Sequence, residues 1–561
     1  MKKLKVVLVG VNAKFIHSNL AIRYLKEYTK ELDYECDMIE FSINDRINRM
    51  LEKIVTLNLD MVVFSCYIWN IEIVKALAKL IKLVNKDIEI VFGGPEVSFD
   101  GREFLENNEG DYLIEGEGEE AFKQLIEFKI DGELLNIPGF YYKKEGKVFY
   151  GGIKKNMHIN KVVFPYTNRD NLSNKIVYYE ASRGCPFGCK YCLSSVDRKV
   201  RFKDIQKVKE ELKFLIDKKV TLVKFVDRTF NCNEKFAMDI WKFLIEQDTE
   251  TTFHFEISAD ILTNKEIELL SKAPEGRFQF EVGVQTTNNE ILRNINRYVN
   301  FENIKEKVIE VKKLKNIKQH LDLIAGLPGE DFKSFKKSFN DIYSMKPEEI
   351  QLGFLKLLKG SPMIKEAEKW GMKYSPYPPY EVLSTKDISY DEILKLKKVE
   401  EMVDKYYNSG KFNSILKYFM MKFKMPFDFY YELGMFFAEK GYFDRKISAT
   451  DYYKVFLEFN SEKLKDDNEV LKEIVKYDYL MFNKKNWIPN FLERYIEKEE
   501  IKRINRIICD NVHYIKKNKF YIEMFKIDIL NFIETNKILK NNVCLLFDDQ
   551  QNIIQDITQL I

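Results

Sequence analysis

Eight cysteines are spread through 561 residues, yet three of them crowd into Ser182-Arg-Gly-Cys-Pro-Phe-Gly-Cys-Lys-Tyr-Cys-Leu193, as Cys185, Cys189 and Cys192. Gly184, Pro186 and Gly188 allow this C-x3-C-x2-C stretch to turn tightly, so that three thiolates converge from one loop. A cubane iron–sulfur cluster normally takes four cysteines, and three would leave one iron open. A structural zinc site would want a fourth Cys or His nearby, and the nearest candidates, His158, Cys232 and His254, belong to other elements. Eight cysteines are too few for a disulfide scaffold. Cys36, Cys66, Cys232, Cys509 and Cys544 stand in apolar or strand-like stretches and read as small buried hydrophobes.

The loop is embedded in an α/β pattern. Short apolar runs at Leu4 to Val11, Glu35 to Phe41, Met61 to Tyr67, Ile88 to Phe92 and Tyr112 to Ile114 alternate with helically spaced stretches such as Ala21 to Tyr28 and Val74 to Val84. That is the pattern of a Rossmann-like, doubly wound parallel sheet over residues 1–130, with ligands expected at the carboxyl ends of its strands. Residues 131–174 read as a hairpin-bearing linker, because Pro138, Gly139, Gly146, Gly151 and Gly152 punctuate short aromatic strands.

A second series starts at 175, with strands at Ile176 to Glu180, Leu222 to Val226, Phe253 to Ile257, Phe278 to Val284, Leu321 to Ala325 and Ile350 to Leu355. Six strands with helices between them predict a partial (β/α)6 barrel over 175–390, whose chemistry belongs at the strands' carboxyl ends. The cysteine loop follows the first of them. From 391 to 561 the chain is mainly helical and rich in Lys, Tyr, Phe and Glu, and Phe525 to Ile529 and Val543 to Phe547 suggest a small strand pair.

Ninety Lys and Arg against 87 Asp and Glu leave a formal charge of +3, which gives no global field toward nucleic acid or membrane. The longest apolar runs, such as Met61 to Cys66, are far short of the roughly 20 residues of a membrane span. The start of the chain lacks the small-residue cleavage site of a signal peptide. These features point to a cytoplasmic protein.

The cysteine loop, placed after a barrel's first strand and with Tyr191 before the third cysteine, resembles that of the radical S-adenosylmethionine (SAM) superfamily. The resemblance implies that Cys185, Cys189 and Cys192 hold a [4Fe–4S] cluster whose open iron chelates SAM, and that one electron splits SAM into methionine and a 5′-deoxyadenosyl radical. Further matches are Asp227 in Phe225-Val-Asp-Arg-Thr-Phe230, Glu256 and Ser258 on the third strand, Glu281 and Gln285 in Phe280-Glu-Val-Gly-Val-Gln285, and Gly326 in Asp322-Leu-Ile-Ala-Gly-Leu-Pro-Gly329. By resemblance these contact SAM, as does Tyr191. Arg228 stands where many relatives have a second Asp.

The first domain is similar to the cobalamin-binding domain that precedes the barrel in a large radical SAM subgroup. Gly93-Gly94-Pro95-Glu96 and Glu115-Gly116-Glu117 would face the corrin, since glycines let backbone approach a flat ring. Cobalamin domains that supply a histidine below the cobalt carry Asp-x-His-x-x-Gly; here the loop reads Gly10-Val-Asn-Ala-Lys-Phe-Ile-His17-Ser-Asn, so a cobalt without histidine is expected. The whole pattern looks most like the cobalamin-binding radical SAM proteins that carry a C-terminal domain of unknown function.

The activity this implies is methyl transfer to an unactivated carbon, with cobalamin-assisted oxidation, cyclisation or ring rearrangement as the alternative. An external electron donor such as flavodoxin or ferredoxin is required. A third reading, RNA modification, would use Lys502, Arg503, Arg506, Lys516, Lys517 and Lys519 beside Tyr514 and Phe520. Such runs are more often solvated faces, and no second three-cysteine set accompanies them.

Overall fold

The structure, a computed structural model, describes residues 3–132, 137–483, 488–511, 520–548 and 553–560. The chain divides into two compact units, Met1–Ser338 with Leu352–Tyr390, and Phe339–Gln351 with Asp391–Ile561.

The first unit holds two large sheets. One begins with β1 (Lys5–Asn12), β2 (Glu35–Ser42), β3 (Met61–Ser65), β4 (Glu89–Gly93) and β5 (Tyr112–Ile114) and continues into β6 (Phe140–Lys144) and β7 (Lys147–Tyr150), in the order β2-β1-β3-β4-β5-β6-β7. The first five strands are parallel. Their sequences are continuous apolar runs because both faces are covered. Val7, Val9, Val62, Phe64, Ile90 and Phe92 enter one core. Their neighbours Val6, Leu8, Met61, Val63 and Val91 enter the other. Strand order reverses between β1 and β3, which makes that carboxyl edge the switch point where such sheets bind ligands.

The hairpin of β6 and β7 is an antiparallel extension of this sheet, with Tyr112 opposite Tyr142, where the sequence reading has a linker. Glu145 and Gly146 both take positive φ at its tip, the requirement of a tight two-residue hairpin turn.

The second sheet is built from β8 (Ile176–Tyr179), β11 (Leu222–Phe225), β12 (Thr252–Ile257), β13 (Phe278–Gln285), β14 (Ile317–Ala325) and β15 (Glu349–Phe354), in the order β15-β14-β13-β12-β11-β8. A two-residue ladder, β9 (Ser182–Arg183) with β10 (Arg201–Phe202), closes the neck of the cysteine loop. A second ladder pairs β16 (Lys373–Tyr374) with β17 (Val382–Ser384). Phe225, Phe255 and Phe280 build an aromatic core with Phe230 and Trp241. Residues of the opposite parity, Lys224, His254, Glu256 and Glu281, leave that core and form the polar face of the sheet.

The second unit is mainly helical, with Asn413–Met420, Pro426–Glu439, Asp451–Glu458 and Glu469–Phe482 packed through aromatic rings such as Tyr406, Phe412 and Phe456. Its sheet has three antiparallel strands, β18 (Phe520–Phe525), β19 (Val543–Asp548) and β20 (Ile553–Asp556). The strand expected at Phe525 to Ile529 is a correction: β18 ends at Phe525, and the Asp528 side chain accepts the Asn531 N–H at 3.0 Å to start helix Ile529–Thr535. Lys502, Arg503 and Arg506 lie on helix Lys498–Asn511, and the first two pair with Glu499 and Glu500 as part of a solvated face. Tyr514, Lys516, Lys517 and Lys519 lie outside the described residues, as does the side chain of Cys509. Among the described residues no helix is long and apolar enough to cross a membrane.

Candidate functional site

The cysteine loop is fixed from both sides. The Cys185 N–H donates to Asp197 O at 3.0 Å, Lys190 N–H to Ile295 O at 3.0 Å, and the Asn296 amide to Gly188 O at 2.7 Å. Gly184 has φ +99°, and a Cβ there would meet Lys199 O at 2.6 Å, so only glycine allows this turn. All three cysteines are free thiols; Cys185 and Cys189 are buried and Cys192 is half-buried. Cys185 Sγ lies 3.4 Å from Thr229 Oγ1. Burial pushes the Cys189 thiol up while the adjacent Arg297 guanidinium pulls it down. Arg297 also faces Tyr191, which packs against the apolar cluster that contains Ile291 and Leu292. Among the described residues no three His, Cys, Asp or Glu side chains close round a single metal ion. A soft thiolate set held on a glycine-bearing loop is the donor chemistry of a [4Fe–4S] cluster.

Asp227 is not open to a ligand. Ala181 N–H donates to Oδ2 at 3.0 Å and Ser182 Oγ–H to Oδ1 at 2.5 Å, and burial pushes its carboxyl up to about 7. Its work is to anchor the strand entering the cysteine loop. Glu281 is also closed: His254 Nε2 lies at 2.9 Å and Lys224 Nζ at 3.0 Å. Burial would raise Glu281, but these two partners outweigh it and hold it down at about 2.

Glu256, beside Glu281 in register, faces Arg228 at 3.9 Å, and Asp322 has a buried Oδ1 with no hydrogen-bond partner. Burial, Glu281 and Glu256 push Asp322 well up. Gln285, at φ +70°, folds its amide over Gly283, and Gly326, just past the end of β14, has φ +84°. Glu256, Arg228 and Asp322 are thus held less tightly than Asp227 and Glu281. They fit a ligand with amino, carboxylate and hydroxyl groups, as SAM has.

At the carboxyl edge of the first sheet, Gly94 has φ +116° and a Cβ would stand 2.5 Å from Cys66 O; Gly116 has φ +68° and open space around it. Gly93 and Pro95 flank the first cradle. Phe15 (77% exposed), Ile16, Ile43, Trp69 (44%) and Phe99 follow β1 to β4 on this same edge. Tyr67 stacks on Trp69 with centroids 4.5 Å apart, and Trp69 Nε1–H donates to Val11 O at 3.1 Å. Exposed apolar rings gathered on one edge mark a binding surface, and glycine cradles beside them suit a flat macrocycle such as a corrin.

The carboxylates expected here point elsewhere. Glu96 accepts from Tyr380 Oη and lies 3.7 Å from Lys359. Glu115 accepts from Tyr141 at 3.2 Å, and Glu117 is held by Arg201 at 2.5 Å and Arg183 at 3.5 Å. His17 is engaged by the second sheet: its Nδ1 shares a hydrogen bond with Tyr178 Oη at 2.8 Å and its backbone bridges Ile176. Burial and Lys14, Lys224 and Lys175 keep the imidazole below its ordinary value. Lys224, Arg297 and Trp69 do not stand out in the sequence, where His254 figures only as a distant candidate ligand for zinc. Even so, Lys224 and His254 carry a signal, since each is a polar residue inside an aromatic strand.

Three family models match the chain: the B12 binding domain over 6–126, the radical SAM superfamily over 179–342, and a protein of unknown function family, DUF4080, over 368–547. The chain is a radical SAM protein with an N-terminal cobalamin-binding domain and a C-terminal domain of unknown function. Its cofactor system is that of the first two domains, cobalamin with a [4Fe–4S] cluster and SAM.

Among the relatives, an uncharacterized methyltransferase of Pyrococcus horikoshii is 32% identical over 177 residues, 29% of this chain and 38% of that protein. The cobalamin-dependent radical SAM methyltransferase TokK of Streptomyces tokunonensis is 23% identical over 57% of this chain and 50% of its own length. The chain thus spans half or less of these curated relatives. The radical SAM methyltransferase TsrM of Kitasatospora setae, solved with cobalamin and a [4Fe–4S] cluster, shares the fold with a TM-score of 0.58 at 16% identity, over 68% of this chain and 82% of that one.

Proposed function

We propose that this chain is a cobalamin-dependent radical SAM enzyme that transfers a methyl group to an unactivated carbon. The observation that carries the reading is that one compact unit brings both carboxyl edges together: Arg183, two residues before Cys185, pairs at 2.6 Å with Glu119, the first residue of the helix Glu119–Asp131 that follows β5. When bound, the cluster supplies the electron that splits SAM and cobalamin carries the group to be transferred. Cys185, Cys189 and Cys192 hold the cluster. Asp227 fixes the strand before it, and Glu256, Arg228 and Asp322 receive the polar groups of SAM. Gly94, Gly116 and the Tyr67–Trp69 stack would carry the corrin, and His17, paired with Tyr178, is not among the residues that would hold it. A radical must meet its target at near contact, which this joining of edges favours. The names of two relatives, both methyltransferases, support the transfer. The electron comes from an external donor such as flavodoxin or ferredoxin, and a reducing cytoplasm suits the free thiols.

Anaerobic incubation with SAM and a reductant, followed by mass spectrometry, tests the reading. Methyl transfer gives 5′-deoxyadenosine together with S-adenosylhomocysteine, because one SAM is cleaved and another gives up its methyl group. Deoxyadenosine alone would replace the proposal with an oxidative cyclisation or rearrangement at the same site.

A further inference from the structure

The segment after β5, a short loop through Gly118 and the start of the helix Glu119–Asp131, faces two ways. Gly116 lies open on the carboxyl edge of the first sheet, while Glu117 and Glu119 reach into the neck of the cysteine loop. Glu117 Oε1 meets Arg201 Nη2 at 2.5 Å and Arg183 Nη1 at 3.5 Å, and its Oε2 accepts the Met157 N–H at 3.0 Å. Glu119 Oε1 meets Arg183 Nη2 at 2.6 Å. Glu180 takes Arg183 Nε at 2.9 Å, and Asp197 takes Arg201 at 2.9 Å. Arg183 and Arg201 are register partners across the β9–β10 ladder, so every cysteine of the loop lies between them. The side chains of Arg183 and Glu119 are only 10% and 5% exposed, and the guanidinium also sits over the Tyr24 ring at 5.6 Å. Pairs this desolvated hold geometry in a way exposed ones do not, and removing one partner strands the other.

We infer that Glu117, Glu119 and Arg183 are positioning residues that clasp the cluster loop to the cobalamin-binding domain and set the reduction potential of the cluster. This rests on the proposed function for the presence of the cluster, but the clasp itself is a property of the apoprotein. The charge arithmetic gives its electrical direction. Within the clasp Glu117, Glu119, Glu180 and Asp197 face Arg183 and Arg201, with Lys154 bonded to Glu117 O, while Arg297 stands by Cys189 and Arg228 by Cys192 on the loop itself. Nearby carboxylates oppose reduction and nearby cations assist it, since net charge is one of the terms that set a cluster's potential. The clasp's carboxylates therefore pull the potential of a bound cluster down, and Arg183 pulls it up.

Two measurements test this on the full chain. In the apoprotein, hydrogen exchange of the amides over 184–200 should quicken by about tenfold in the Glu117→Gln, Glu119→Gln double variant, with the first sheet's core strands unchanged. Wild-type exchange over that segment would overturn the clasp, whatever the cofactor content. In reconstituted protein, redox titration followed by electron paramagnetic resonance should show the midpoint potential rising in the double variant and falling in Arg183→Gln. A variant that merely loosened the loop would admit water and shift both in one direction, which would overturn the tuning role. Should Arg183→Gln fail to retain iron, Arg183→Lys keeps the charge without the fork and is expected to hold the wild-type potential; a fall there overturns the charge argument. A wild-type protein that takes up no iron and sulfide would refute the proposed function and leave the exchange result to decide the clasp.

Discussion

Ser182 donates its hydroxyl to Asp227 over 2.5 Å, so a carboxylate just beyond β11 grips the strand that leads into the cysteine loop. Burial pushes Asp227 up to about 7 against the pull of its hydrogen bonds, whereas in the unfolded chain an aspartate titrates near 3.9. Between those values the folded protein holds the extra proton. Its stability therefore falls as pH rises from about 4 to about 7, by on the order of 4 kcal/mol for this group, and is level above. Urea unfolding of the apoprotein across that window should show a shallower fall in Asp227→Asn than in wild type. Parallel curves would remove Asp227 from this role.

Replacing Cys185, Cys189 and Cys192 by alanine should remove about four irons and four sulfides from the reconstituted protein and abolish SAM cleavage. Cys232 is half-buried at the end of a short turn after Thr229. Its alanine variant should keep the cluster, and loss of iron there would point to a fourth protein ligand.

The exposed Trp69 ring and the Tyr178-bonded His17 lead to a pair of opposite outcomes. Trp69→Ala should weaken cobalamin retention by roughly tenfold or more, the scale of losing a large aromatic contact, read from the corrin absorbance after gel filtration. His17→Ala should retain it. Electron paramagnetic resonance of bound cob(II)alamin should lack nitrogen superhyperfine splitting in both wild type and His17→Ala. A splitting that vanishes with His17 would return the imidazole to the metal.

Gly94 and Gly116 both have positive φ, but only Gly94 is also pressed against backbone. Alanine at Gly116 should cost about 1 kcal/mol, the ordinary penalty for a left-handed residue. Alanine at Gly94 adds a 2.5 Å clash with Cys66 O, and it should cost several-fold more, measured by denaturant unfolding of the two variants side by side.

The alternation of apolar runs and helical stretches was enough to locate both parallel sheets, because strands covered on two faces must be continuous apolar segments. The spacing of Cys185, Cys189 and Cys192 likewise carried its chemistry locally, since three ligands within eight residues need no tertiary fold to be near one another. What residue type and position could not convey was which carboxylates stay open. Asp227, Glu281, Glu96 and Glu117 all sit where a ligand contact was expected, yet each is closed by a partner from another element, at Ser182, His254, Tyr380 and Arg201 respectively. The same holds for His17, drawn to Tyr178 more than 160 residues along the chain, and for the strand placed at Phe525 to Ile529, which Asp528 turns into a helix start. Local pattern decides which segments become strands and which loop can gather thiolates. Only the folded chain decides how buried charges pair, because a desolvated carboxylate must take whichever donor the packing brings to it.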